Sequence, residues 1–176
     1  PDKISHWYTP TQTPAAVTDV AGWSDSRDVY VGVAFSGVDR GAHARCPSDE
    51  TTGIFGLWAD VDVAGPEHEK QNLPPTDDDA LALVDAFGPD PTFLIHSGHG
   101  LQAWWLFSEP WLFESDDDRS AAVRLSTRWN LTQRVRAQER GWTVDATQDL
   151  ARLFRLPGTV NRKNADEPVP EKTHGP

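Results

Sequence analysis

Two aspartates, Asp60 and Asp62, close an apolar run, GIFGLWADVDV (53–63). In a strand, residues i and i+2 project from one face about 6.5–7 Å apart. Asp60 and Asp62 therefore share a face, while Ala59, Val61 and Val63 take the other. Carboxylates this close repel, and one stays protonated unless positive charge stands between them. A divalent cation removes the conflict, and hard oxygen donors suit Mg²⁺ or Mn²⁺. The plainer alternative is a strand that ends at the surface with both acids in water. A third acid strengthens the metal reading. Asp145 ends the apolar stretch WTVD (142–145), and Asp149 follows it. Asp149 precedes LARLF, where an N-cap acid is common. Asp145 is thus the better ligand candidate, with Asp149 as the alternative.

Other chemistry-bearing residues lie in three places. The turn SGHG (97–100) holds Ser97 and His99, with Gln102 just beyond. The run DLARLFRLPGTVNRK (149–163) carries Arg152, Arg155, Asn161 and Lys163. Arg152 can alternatively pair with Asp149 one helical turn away. Arg40 and Arg45 sit in a long Gly-containing loop (36–53), and loops of that length are usually functional or disordered. Trp58, Trp104 and Trp105 invite base stacking, but all three lie in predicted strands, where core packing is the duller reading. Trp104 and Trp105 point to opposite faces. Trp129 on the long helix carries the same ambiguity.

The elements that must position these groups alternate. Strands are predicted at 28–35, 54–63, 91–97, 101–107 and 142–145. TDDDALALVDAFG (76–88) has acids in its first turn, an apolar face of Ala80, Leu83, Val84 and Phe87, and Gly88 to end it, so it reads as a helix. Gly98-His99-Gly100 joins two apolar runs as a hairpin. A long helix runs from about 117 to 140, with Ala121, Leu125, Thr132 and Val135 at helical spacing. Residues 149–157 read as a helical turn broken at Pro157-Gly158. The start is loop-like, and 164–176 is linker-like. The result is a mixed α/β domain with a partly antiparallel sheet.

The 176 residues suffice for one domain with a real core. The single cysteine, Cys46, excludes an internal disulfide and a zinc knuckle. No run of eighteen apolar residues and no signal-peptide pattern argues for a membrane or for export, so a cytoplasmic protein is expected. A net charge of −11 alone disfavours a nucleic-acid binder. Its distribution weakens that objection: ten of the sixteen Lys and Arg residues fall between Arg119 and Lys163, while acids crowd at 77–79 and 116–118. A local basic face can exist on an acidic protein.

The three motifs, in the order acid pair, Ser-Gly hairpin (SGHGLQAWW, 97–105) and acid followed by DLARLFRLPGTVNRK, resemble the catalytic core of the archaeo-eukaryotic primase superfamily. They look most like its bacterial, phage and plasmid primase-polymerases. The resemblance spans roughly 29–163, and its last motif is the most specific. It implies an α+β fold, an RRM-like antiparallel or mixed sheet backed by helices with a packed N-terminal α/β part. It implies two divalent metals, Mg²⁺ or Mn²⁺, on Asp60, Asp62 and Asp145. Ser97, His99, Gln102, Arg155, Asn161 and Lys163 would bind the nucleoside triphosphate, and Arg40, Arg45 and Arg152 nucleic acid. The family usually has His where Gln102 stands. Either Gln102 donates to phosphate as a neutral amide, or His99 fills the role.

The expected activity is template-dependent nucleotidyl transfer, as a DNA primase or DNA polymerase, with single-stranded DNA template, primer and NTP or dNTP as partners. The chain, 1–176, reads as one catalytic domain of a longer replication protein that would carry a helicase or accessory DNA-binding domain. Two rivals are a template-binding module of a replication initiator that has lost catalysis and a DxD-type, Mn²⁺-dependent glycosyltransferase. The latter does not account for RLFRLPGTVNRK.

Overall fold

The alternation of Val and aromatic residues at 28–35 predicts one strand, yet the chain changes sheets in its middle. Val33 is fully buried, and its N–H donates to the Arg152 carbonyl at 3.1 Å. That bond divides the segment into β1 (Tyr30–Gly32) and β2 (Ala34–Ser36). This is a computed structural model that describes residues 3–66 and 71–162, with the backbone of 169–170 and 172–174.

Before β1 lies a helix, α1 (Thr13–Ser24), in a region expected to start as loop; none of its residues is buried. After β2 come β3 (Thr51–Asp62), α2 (Asp77–Asp85), β4 (Phe93–His96), β5 (Gly100–Leu112) and α3 (Asp116–Gln138). Short strands β6 (Leu153–Arg155), β7 (Val160–Asn161), β8 (Val169–Pro170) and β9 (Lys172–His174) complete the chain. A five-stranded sheet runs β2-β3-β5-β4-β9, with every neighbouring pair antiparallel. β1 pairs with β6, and β7 with β8. Within the stretch expected to be linker-like, β8 and β9 are thus paired backbone. The observed class is mixed α+β, as expected. Among the described residues, no helix is long and apolar enough to cross a membrane.

Each face of the central sheet carries its own core. Ala59, Val61, Leu101, Ala103 and Trp105 meet Ala80, Leu83, Val84 and Phe87 of α2. This is the predicted face of that helix, and Thr76 caps it by accepting the Asp79 N–H. Fully burying Leu83 contributes about 1.5–3 kcal/mol. On the opposite face Ile54, Trp58, Ile95 and Trp104 meet Val33, Leu150 and Phe154. Trp58, Trp104 and Trp105 are all buried, so the core reading holds for each of them. Trp104 and Trp105 do lie on opposite faces.

Three expectations need correction. The long helix α3 does not bury Leu125 and Val135, which are exposed; it buries Ala122, Ser126, Asn130, Gln133 and Ala137. WTVD forms no strand. Its neighbourhood is irregular because side chains of α3 and β3 take its carbonyls: Asn130 Nδ2 donates to Asp145 O (2.9 Å), Ser126 Oγ to Gln148 O (2.9 Å) and Trp58 Nε1 to Thr147 O (2.6 Å). Buried carbonyls need partners, and here a helix supplies what a sheet ladder otherwise would. DLARLF is not helical beyond a single turn. Asp149 Oδ1 accepts the Ala151 N–H (2.9 Å), and the Arg152 N–H returns to Asp149 O. The chain then extends as β6, with Phe154 buried and Leu153 exposed, the alternation of a strand.

Candidate active site

The register of β3 and β5 sets the site. Asp60 stands opposite Gln102, and Asp62 opposite Gly100. Directly opposed residues of an antiparallel pair share a face. Both acids and Gln102 therefore occupy the face that carries Trp58 and Trp104, as the alternation of β3 requires. Gly100 is obligatory here, because a Cβ would collide with the Val61 carbonyl. The turn is locked on both sides: the Val63 N–H donates to His99 O at 3.0 Å, and the Ser97 N–H to Gly100 O at 2.9 Å.

The third motif reaches this face from the other end of the chain. Arg152 Nη2 lies 3.8 Å from Asp60 Oδ2. The local alternative, a side-chain pair with Asp149, is not what Arg152 makes; only its backbone N–H bonds Asp149. Asn161, almost fully buried, donates its Nδ2 to the Ser97 carbonyl at 2.6 Å. Arg45 joins the same region, since its Nη2 donates to Ala151 O at 2.6 Å. Arg40 is engaged nearer home, with Glu50 at 2.7 Å and Ser36 Oγ at 3.1 Å.

Arg155 sits on the β1 side of the third motif. Its Nη1 bonds Asp28 Oδ1 at 2.6 Å, and its guanidinium lies over the Tyr30 ring at 5.0 Å. The same Asp28 oxygen accepts the Arg162 N–H at 2.9 Å. Burial pushes the Asp28 carboxyl up, but the Arg162 N–H and the Arg155 guanidinium outweigh it and hold the carboxyl below its ordinary value. Asp145 is set by the Asn130 bond to its carbonyl. Lys163 lies outside the described residues.

The donors on this face are those a divalent cation takes. Asp60 and Asp62 offer carboxylate oxygens on one face. Gln102 adds a carboxamide oxygen that is buried and has no hydrogen-bond partner among the described residues. An all-oxygen set of this kind fits Mg²⁺ or Mn²⁺. Among the described residues, no three His, Cys, Asp or Glu side chains stand as a group that could hold a metal ion. Arg152 places a guanidinium beside Asp60.

Several site-building residues escaped the sequence reading. Asp28 fixes Arg155. His96 accepts the Gly98 N–H at Nδ1 and meets Asp77 Oδ2 through Nε2 at 2.9 Å, tying the hairpin turn to the start of α2. Gln133 Nε2 donates to Trp58 O at 2.7 Å, and Trp129 Nε1 to the same carbonyl at 3.1 Å. Ser126, Asn130 and Gln133 are spaced by four and three residues. That polar stripe at helical spacing was the available signal for the buried face of α3.

No protein-family profile and no curated protein matches this chain. Among solved structures, the chain is similar to the AEP domain of the cyanophage S-2L primase-polymerase (PrimPol), with a TM-score of 0.57 and 17% sequence identity. The match covers 98% of this chain and 74% of that one. At this identity the likeness establishes the fold.

Proposed function

We propose that this chain is a nucleotidyltransferase that joins nucleoside triphosphates on a nucleic-acid template, as the catalytic domain of a primase-polymerase. The observation that carries this reading is convergence. Asp60, Gln102 and Arg152, from three segments far apart in sequence, meet on one sheet face, and Asn161 ties the last segment to the hairpin turn. The fold shared with the cyanophage domain supports it. We read the antiparallel sheet as the RRM-like half of a primase core, with α1 and β1 as its N-terminal part.

In the reaction, the primer's 3′-hydroxyl oxygen attacks the α-phosphorus of the incoming nucleotide. The new P–O bond forms as the bond to the β-phosphate bridging oxygen breaks, the hydroxyl proton is released to solvent, and pyrophosphate departs. Mg²⁺ or Mn²⁺, when bound, supplies the Lewis acidity that lowers the hydroxyl pKa and neutralises the leaving group. Asp60 and Asp62 would hold the cations, with Asp145, or Asp149 as its alternative, as the third acid. Arg152, His99, Ser97 and Lys163 orient the triphosphate. Asn161 and Arg155 keep the third motif in place through Ser97 and Asp28. Single-stranded DNA is the template. A cytoplasmic replication protein with an accessory helicase or DNA-binding domain is the setting this reading implies.

The test is incorporation of labelled nucleotide on a primed and an unprimed single-stranded template, with Mg²⁺ or Mn²⁺, using ribo- and deoxynucleotides separately. Metal-dependent, template-matched extension supports the reading. Template binding without incorporation favours the initiator module instead.

A further inference from the structure

The atom of Gln102 that lacks a partner is an acceptor. Gln102 is 5% exposed and stands directly across from Asp60. Its Oε1 is buried with no hydrogen-bond partner among the described residues. Such an atom is costly to leave in a protein interior unless something else completes it. A phosphate group does not serve, because its ionised oxygens are acceptors themselves. A donor is required, and it must come to the face where Asp60 and Asp62 lie. Waters held by a divalent cation are strong donors, and Mg²⁺ in particular retains several of them when carboxylates bind it.

We infer that Gln102 is a positioning residue for the cation: its Oε1 accepts a hydrogen bond from a water of the ion held at Asp60 and Asp62. The inference rests on the reading of that pair as a metal site. It separates Gln102 from the phosphate-donor role that its place after the glycine turn suggests. Gln102 stands directly across from Asp60 on the sheet face of the acid pair, and a cation held there would bring the missing proton donor in its hydration shell. Partners of this outer kind typically change metal affinity by about 10–100-fold.

The experiment measures Mn²⁺ binding to the protein without nucleotide, by the electron paramagnetic resonance signal of free Mn²⁺, alongside thermal unfolding with and without Mn²⁺. Gln102→Leu removes the acceptor and fills the same space. It is expected to raise the Tm of the metal-free protein, to weaken Mn²⁺ binding about tenfold, and to shrink the Tm gain on adding Mn²⁺. A purely structural role moves the first quantity and leaves the others alone. Gln102→Glu keeps an acceptor and adds charge, so it should bind Mn²⁺ more tightly than the wild type. If Gln102→Leu does not fold, that second variant decides, and unchanged or weaker binding overturns the inference. Asp60→Asn separates the two levels. If it loses Mn²⁺ while Gln102→Leu binds like the wild type, the role of Gln102 falls and the metal site stands. If wild type and Asp60→Asn alike fail to bind, both fall. Unchanged Mn²⁺ binding with weakened binding of a nucleoside triphosphate in Gln102→Leu assigns the amide nitrogen instead, and also overturns the inference.

Discussion

Asn161 donates its side-chain amide to the carbonyl oxygen of Ser97, 64 positions earlier in the chain, at 2.6 Å. This bond fastens the third motif to the hairpin turn. Asn161→Ala leaves the Ser97 carbonyl without this donor in a largely buried place, at a cost of about 1–3 kcal/mol. Urea denaturation should show that loss. Nucleotide incorporation should fall further than stability alone explains, because Ser97 and His99 would no longer be held against the acid pair.

The Asp28–Arg155 pair gives the site a pH signature. The folded carboxyl is held below its ordinary 3.8, so its contribution is fully present above that value. It is lost as pH falls through the lower folded value. Asp28→Asn should therefore be less stable than wild type at pH 7, by no more than about 1 kcal/mol given the partial exposure of the pair. The gap should close as the medium is acidified below 3.8. Urea midpoints across pH 2.5–7, on the order of five points in the window set by this linkage, give the comparison.

Asn130 reaches from α3 to the Asp145 carbonyl. Asn130→Ala removes that donor and should destabilise the domain by about 1–3 kcal/mol. Asn130→Asp keeps the size but replaces the amide donor with an acceptor, and should be worse than Ala. If Asp145 is a catalytic acid, both variants should lower kcat more than they raise the nucleotide KM.

Much of this was legible in the sequence because it depends on local periodicity. The β3 alternation, the apolar face of α2, and the glycine turn before β5 all follow from spacing a few residues long. What was not legible depends on contacts between distant segments. Val33 breaks a strand because Arg152 takes its N–H. WTVD lacks a ladder because Trp58, Ser126 and Asn130 claim carbonyls in and after it. Leu150 and Phe154, four apart and both buried, mimic a helix face, while β1 draws the chain into a strand. In the site, the acid pair and its face were readable. The ion pair of Arg152 with Asp60 and the bond of Arg155 to Asp28 were not, since an arginine's partner is set by the fold.

Gly100 permits the close approach of β5 to Val61 beside the acid pair. Gly100→Ala puts a methyl group against backbone that has nowhere to retreat, so a loss of about 3 kcal/mol or more is expected. Circular dichroism melting should report it. Gly141→Ala, where nothing lies near the added carbon but φ is +75, should cost only about 1 kcal/mol.

The central claim is that Asp60 and Asp62 are held together on one sheet face to serve metal-dependent nucleotidyl transfer. Extension of a labelled primer on single-stranded DNA by wild type, Asp60→Ala and Asp62→Ala, each first shown to be folded, tests it most directly. Wild type is expected to extend the primer with Mg²⁺ or Mn²⁺, and either variant to lose about 10³-fold or more, the scale expected when a principal charge-stabilising group is removed. Extension by Asp60→Ala at the wild-type rate would contradict it.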